Sequence, residues 1–484
     1  MPQLFRTARD LARAIVSRDL SPVEAVESSL ARLEATEPRL RSFVTVLADQ
    51  ALGDAKRAEA QLREGTPPGP LLGVPISVKD LIAVGGAPLT FGSRSMADNV
   101  APADAVAVER LRRAGAIIIG KTTTSEFGCK AVGDSPLTGS TRNPWDLSKT
   151  AGGSSAGAAA SVAAGVTAVA LGTDGGGSIR IPAAMTGLFG VKAQFGRVPV
   201  FPVAANPTLA HVCPIGRDVR DVAVLLGVLS GDDARDPHSA PLAAPDYLAA
   251  CERDPRALRI AWSPSFGYAA PDAEVCTIAE AAARVFSELG CVVEEVDAPL
   301  GPDPAAMWTA EFYAGVAARL APTLRERREL LDPDIAATIE QALAMDAEAY
   351  GRAVQMRYAF RESTRKFFDD YDLLLSPTLP VAGVDVGINI PARFADRNLV
   401  TWVGYTYPFN LTGQPAASIP AGFTRWRLPV GLQLVSRAYR EDDLFAAAAA
   451  FEMARPWAQH EPALRSGTNA VQGANAPPRP ASAR

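Results

Sequence analysis

Histidine is almost missing from this chain. His211, His238 and His460 are the only three in 484 residues. His211 precedes Val212-Cys213-Pro214, His238 lies in a polar Asp236-Pro237-His238 loop, and His460 borders the C-terminal tail, so none is placed like a catalytic base. The same scarcity argues against zinc, whose sites draw several His, Cys or carboxylate ligands from short spacings. No metal and no other cofactor is expected. Cysteine is also sparse: Cys129, Cys213, Cys251, Cys276 and Cys291 are odd in number, widely spread and without a C-x-x-C pair. That pattern suits reduced thiols and a cytoplasmic location. No apolar run approaches the ~18 residues of a membrane span, and the N-terminus lacks the apolar core of a secretory signal. Lysine and arginine total 48 against 53 aspartate and glutamate, a net charge of -5. With no basic excess, neither nucleic acid nor an anionic membrane is the expected partner.

What is present concentrates in three short islands. A lysine closes the apolar run Val74-Pro75-Ile76-Ser77-Val78-Lys79-Asp80, and a serine pair lies in Gly152-Gly153-Ser154-Ser155. A third serine follows three glycines in Gly172-Thr173-Asp174-Gly175-Gly176-Gly177-Ser178-Ile179-Arg180. A serine hydroxyl is a weak nucleophile that needs a nearby base, and the oxyanion formed on attack needs preorganised donors. The amides of Gly175, Gly176, Gly177 and Ser178 can converge on one oxygen because glycine reaches turn conformations closed to other residues. Lys79 is the candidate base, provided burial lowers its pKa well below the ordinary value of about 10.4. Adjacent Asp80 would oppose that if it faced the amine, so it is expected to point away and fix a loop. Together the islands describe a hydrolase that activates serine without histidine.

Each island has a plainer reading. The glycines could form a tight turn or a phosphate loop, but G-x-x-x-x-G-K-[ST] is absent. Ser154 and Ser155 could cap the alanine-rich helix that follows. Gly153 to Gly157 formally fits the G-x-S-x-G elbow of α/β-hydrolases, yet that elbow requires a strand before it, and residues 143 to 150 are polar and contain proline. Lys79 could be a solvated surface charge, which the apolar run before it contradicts.

In residue type and order these islands resemble the amidase signature family. Lys79-Asp80, Gly120-Lys121-Thr122, Asn143-Pro144-Trp145, Gly152-Gly153-Ser154-Ser155 and the stretch from Thr173 to Pro182 carry the likeness, which runs roughly from residue 5 to residue 456. The resemblance implies Ser178 as nucleophile, Ser154 as a bridging serine preceded by a cis peptide bond, and Lys79 as terminal base. Ser155, Asp174 and Arg180 are expected to support them. The family also places Glu126-Phe127-Gly128-Cys129 near the substrate, making Phe127, Gly128 and Cys129 pocket candidates, although a lone cysteine is more often a small buried filler. Two departures are visible: Ala156 stands where many members have glycine, and Gly175 where many have a larger residue.

The activity implied is cleavage of a C–N bond in a small amide, anilide, amino-acid amide or carbamate (urethane) through a serine acyl-enzyme. A rival within the family is the A subunit of a tRNA-dependent amidotransferase, a glutaminase that works only with partner subunits. That subunit typically has glutamine after the arginine of the serine loop, whereas this chain has Arg180-Ile181-Pro182. A catalytically silent scaffold would not need Lys79, Ser154 and Ser178 intact. Assembly as a homodimer is left open.

Lys79, Ser154 and Ser178 must meet although 75 and 24 residues separate them, so the stretch between belongs to one core. The expected fold class is α/β, a mixed central sheet surrounded by helices, in a single large domain over residues 1–465. Its catalytic core is expected over about 70–220 and a variable helical specificity region over about 230–370, where Met307, Trp308, Phe312 and Tyr313 could line an access channel. Residues 7 to 36 read as two helices, the second opened by Ser21-Pro22-Val23-Glu24. Residues 74–78, 116–119, 166–171, 371–375 and 428–435 read as strands, and 105–114, 156–165, 278–289, 304–320 and 441–454 as helices. The tail 466–484, rich in Ala, Pro, Gly and Asn, reads as disordered.

Overall fold

The structure, a computed structural model, describes residues 7–466. The expected disordered tail therefore lies, beyond Ser466, outside the described residues. Two N-terminal helices, Ala8–Val16 (α1) and Pro22–Leu40 (α2), follow from local sequence rules. At the start of α2 the Glu24 N–H donates to Ser21 Oγ (3.0 Å) and the Ser21 N–H donates to Glu24 Oε2 (2.8 Å). Pro22 occupies the first turn, where a missing N–H costs nothing.

Eleven strands form one sheet. In chain order they are Phe43–Val46 (β1), Pro75–Lys79 (β2), Ile117–Thr122 (β3) and Val169–Asp174 (β4). Then follow Phe189–Lys192 (β5), His211–Gly216 (β6), Arg259–Trp262 (β7) and Val292–Glu295 (β8). Leu373–Pro377 (β9), Ala416–Phe423 (β10) and Pro429–Ser436 (β11) complete it. The spatial order is β1-β3-β2-β4-β6-β5-β10-β11-β9-β7-β8. β2 runs parallel to β3 and β4, and β7 parallel to β8 and β9, while the other neighbours are antiparallel. This is the mixed α/β architecture the sequence predicts. Every residue of β2, β3 and β9 is buried, which explains why these strands read as continuous apolar runs rather than alternating ones.

The parallel pairing of β2 with β4 brings two of the three islands together. Its register sets Ser77 against Ala170 and Val78 against Leu171, so the C-terminal ends that carry Lys79 and Thr173-Asp174 lie side by side. The third island enters on helix Ala156–Ala163 (α3), all of whose residues are buried. Its Ala, Gly and Ser composition is a packing requirement: a Cβ on Gly157 would lie 2.1 Å from the Ser42 carbonyl oxygen and 2.5 Å from Thr123 N. The helix Arg180–Thr186 (α4) follows the glycine loop and is also fully buried.

Differences from expectation have local causes. β4 begins at Val169 rather than Val166, because Val166 still donates its N–H to the Ser161 carbonyl (2.9 Å) beyond Gly165, which has a φ of 78°. β1, β5, β6 and β10 escape detection: the first two are four residues long, and the others contain proline. The 230–370 region is not purely helical. Its helices Ala273–Glu288 (α5), Ala305–Glu326 (α6), Pro333–Leu343 (α7) and Ala347–Phe367 (α8) accompany β7 and β8, which extend the central sheet. The alanine-rich helix Glu441–Ala454 (α9) forms as expected. Among the described residues no helix is long and apolar enough to cross a membrane.

Because Gly157 has no space for a methyl group, Gly157→Ala should destabilise the protein by about 1–3 kcal/mol. A lowered thermal midpoint with an otherwise native circular-dichroism spectrum would report it. An unchanged midpoint would show that α3 can shift away from Ser42 at little cost.

Candidate active site

Lys79 ends β2 with its side chain wholly buried. Its Nζ lies 2.7 Å from Ser154 Oγ, 2.9 Å from Ser155 Oγ and 2.8 Å from Thr173 Oγ1. Among the described residues no carboxylate lies within ion-pair distance of it. Asp80 turns away as expected: its Oδ1 pairs with Lys121 Nζ (2.8 Å) and its Oδ2 accepts the Thr90 N–H (3.0 Å) and hydroxyl. Burial brings the Lys79 amine down to about 7, against the pull of the Asp174 carboxylate. A buried ammonium without an ion-pair partner has lost its water for three hydroxyl contacts, so the neutral amine competes with it near neutral pH.

The hydroxyls around Lys79 are not equivalent. Ser155 Oγ donates its one proton to the Thr173 carbonyl (3.1 Å) and accepts the Thr173 N–H (3.3 Å), so toward Lys79 it is an acceptor. It stands at the N-terminus of α3 without a side-chain capping bond, so the capping reading of this serine does not hold. The lone pair of a neutral Lys79 must then face Ser154 or Thr173. Of these, Ser154 follows the Gly153–Ser154 peptide bond, which is cis as the resemblance implied.

The serine loop is organised by Asp174 and Arg180, both fully buried. Arg180 Nη2 donates to Asp174 Oδ1 (2.9 Å) and Nε to Oδ2 (3.0 Å), while Nη1 reaches the Thr406 carbonyl and Gln433 Oε1. Asn410 Nδ2 donates to the same carboxylate at 2.9 Å. Burial alone would raise the Asp174 carboxyl, but the Arg180 guanidinium and these donors hold it well below the usual carboxylate range. One expected oxyanion donor is thereby diverted: the Gly177 N–H donates to Asp174 Oδ1 (2.8 Å), because an ionised carboxylate is the stronger acceptor. The amides of Gly175, Gly176 and Ser178 remain. Gly177 is obligatory here, with a φ of 128° and a notional Cβ 2.2 Å from Thr406 Oγ1. Gly175, a position where the family resemblance implied a departure, has the Phe312 ring 3.0 Å from a notional Cβ.

Ser154, Thr173, Gly175 and Ser178 line one cavity of about 150 Å³. Among the described residues the hydrogen bonds run from Lys79 to Ser154, and Ser178 joins through the Ser155 N–H, which donates to its carbonyl (3.1 Å). Phe127 and Gly128 line the cavity, as expected. Cys129 does not: it is fully buried behind the wall, with its carbonyl accepting from Tyr313 Oη (3.0 Å), and burial pushes its thiol well above the ordinary range. From α6, Phe312 contributes to the wall, whereas Trp308 instead donates Nε1–H to the Gly175 carbonyl (2.9 Å) and Met307 and Tyr313 pack elsewhere. The stretch from Pro199 to Asn206 forms another face, which nothing in its composition announced.

His211 also borders the cavity, but neither ring nitrogen is free for Ser178. Nδ1 is 2.8 Å from the Leu209 carbonyl oxygen, and Nε2 is 3.4 Å from Lys192 Nζ. Burial and the neighbouring Lys192 push its pKa well below the ordinary value.

Comparison with known proteins places this arrangement in context. The family model described as Amidase matches residues 24–445. An acylamidase of Rhodococcus erythropolis is 38% identical over 464 residues, covering 94% of this chain and 97% of that protein. The A subunit of the glutamyl-tRNA(Gln) amidotransferase of Moorella thermoacetica is 35% identical, covering 96% of this chain and 99% of that one. Among solved structures, a bacterial aryl acylamidase of the amidase signature family superposes with a TM-score of 0.91 at 32% identity, over 97% of this chain and 100% of the other. A 6-aminohexanoate cyclic dimer hydrolase bound to substrate gives 0.88 at 28% identity, over 96% of this chain and 100% of the other.

Replacing Arg180 by methionine would leave Asp174 charged, buried and unpaired. The expected cost is about 3–5 kcal/mol of stability. Chemical denaturation of Arg180→Met and of the double variant Arg180→Met/Asp174→Asn checks this, since the second change should recover part of the loss.

Proposed function

The chain belongs to the Amidase family, and on that premise we propose that it is a self-sufficient hydrolase of small-molecule amides. Ser178 is its nucleophile, Ser154 its proton relay and Lys79 its base. The observation that carries this reading is a buried amine, brought down to about 7 by desolvation and held 2.7 Å from a serine in the wall of the cavity that also exposes Ser178.

In the first half-reaction Ser178 Oγ bonds to the substrate carbonyl carbon. Its proton passes to Ser154 Oγ as the Ser154 proton moves to Lys79 Nζ. The Gly175, Gly176 and Ser178 amides hold the oxyanion, and Asp174 and Arg180 keep the loop in shape. As the C–N bond breaks, the proton returns through Ser154 to the leaving nitrogen. Water then adds to the acyl ester by the same relay, releasing the acid and restoring the Ser178 hydroxyl.

The apolar, aromatic wall favours anilides and amides with hydrophobic groups, and aryl carbamates present the same carbonyl. Similarity to amidotransferase A subunits supports a second reading, a glutaminase that acts within an assembly. A glutamine side chain is short and polar, which suits this wall poorly. The unpaired cysteines fit a reducing cytoplasm. Turnover of acetanilide or a p-nitroanilide by the purified chain, without ATP, tRNA or partner subunits, tests the first reading. Activity that required partner subunits would favour the second.

Ser178→Ala should fold normally and lose about three or more orders of magnitude in kcat. A fluorophosphonate should label Ser178 in the native chain, and mass spectrometry would locate the adduct.

The pH profile follows from the lowered Lys79 pKa. The base is competent only when neutral, so kcat/KM should climb as pH rises through about 7 and then level off. Lys79→Arg should remove both the limb and most of the rate, because a guanidinium stays protonated. Thr173→Val deletes an acceptor that stabilises the charged amine, so the limb should move to lower pH. A limb unmoved in Thr173→Val, or retained in Lys79→Arg, would place the base elsewhere.

A further inference from the structure

We propose that Arg319 selects substrates whose apolar arm ends in an anionic group, a carboxylate foremost. The inference rests on the amide-hydrolase reading and narrows it to a substrate class. Helix α6 presents Phe312, Val316, Arg319 and Leu320 to the catalytic cavity, a stripe at helical spacing. At its deep end Phe312 abuts Gly175 of the serine loop. Seven residues further along, or roughly 10 Å at 1.5 Å per residue, stands Arg319. Its side chain is exposed, and its guanidinium lies over the Phe91 ring, 5.8 Å from the centroid. Phe91 in turn stacks on Phe127 at 5.9 Å, so the path from Ser178 to Arg319 is walled by aromatic and aliphatic groups.

The charge at the end of this path is uncompensated. Among the described residues Arg319 has no ion-pair partner, in contrast to most arginines of this chain. Asp174 is the one carboxylate among the residues lining the cavity, and both of its oxygens are engaged by Arg180 and by backbone amides. An arginine whose stem packs on an aromatic ring while its fork stays free is preorganised for a planar, bidentate anion. An acyl or amine arm that fills the apolar passage would deliver a terminal carboxylate to it.

The test compares two p-nitroanilides of matched chain length, the neutral octanoic anilide and the mono-anilide of suberic acid, which ends in a carboxylate. The ratio of kcat/KM for the suberic over the octanoic substrate should fall about tenfold in Arg319→Gln, chiefly through KM. Arg319→Lys should recover part of the ratio, and added salt should compress it in the unmodified protein. Calorimetric binding of both anilides to Ser178→Ala, with and without Arg319→Gln, separates this inference from the activity itself. If neither anilide is hydrolysed but Ser178→Ala binds the suberic one more tightly in an Arg319-dependent way, the hydrolase reading fails and the anion site stands. Absence of an Arg319-dependent difference in both turnover and binding overturns the anion site, whether or not the octanoic anilide is hydrolysed.

Discussion

The ion pair between Asp174 and Arg180 is the fixed point from which the rest of the site is measured. Neither partner touches water, and between them they engage the glycine loop, Thr406, Asn410 and Gln433. Those contacts join β4, α4, β11 and the segment before β10, so the serine loop inherits the rigidity of the sheet rather than that of a surface turn. The pair also sets the electrostatics of its neighbour. Asp174 is the strongest influence raising the Lys79 pKa, and desolvation outweighs it.

Burial alone does not single out the lysine proposed as base. Lys121 is as dry as Lys79, yet it is tied to Asp80, and Lys130 is tied to Asp134 and Asp332. Among the described residues Lys192 also lacks a carboxylate partner and is likewise brought down to about 7 by burial, but it faces the Gln414 carbonyl and His211 rather than a serine. What distinguishes Lys79 is a hydroxyl-only shell, two members of which, Ser154 and Thr173, line the cavity. Desolvation tunes the amine, and geometry gives the tuned amine something to act on.

This contrast explains what the sequence could and could not reveal. Lys79, Ser154, Ser178, Asp174 and Arg180 sit in compact motifs whose glycine and serine content follows from backbone geometry, and the structure gathers them at the ends of two parallel strands. The α/β alternation is equally legible where strands are long and fully buried. Contacts made by chain-distant residues are not. Asn410, Gln433 and Thr406 carry no local signature, because an amide or hydroxyl becomes an Arg180 partner only once β10 and β11 have taken their places. The expected four-amide oxyanion site overlooks the competition for the Gly177 N–H, which depends on where the Asp174 side chain turns. Cys129 departs from expectation for a related reason: Phe127 and Gly128 both have positive φ, 50° and 75°, and beyond this turn Cys129 no longer lines the cavity.

Trp308 ties two tasks together. Its indole N–H holds the Gly175 carbonyl, while the same helix, one turn later, presents Phe312 to the cavity. The peptide group whose carbonyl Trp308 anchors is the one that carries the Gly176 amide, a remaining donor for the oxyanion. Under the proposed mechanism recognition and rate are thus mechanically coupled through α6. Divergence of this enzyme toward new substrates through α6 would proceed under epistasis: a residue that widens the pocket by shifting the helix also tilts the Gly175–Gly176 peptide, and selection would see both effects at once.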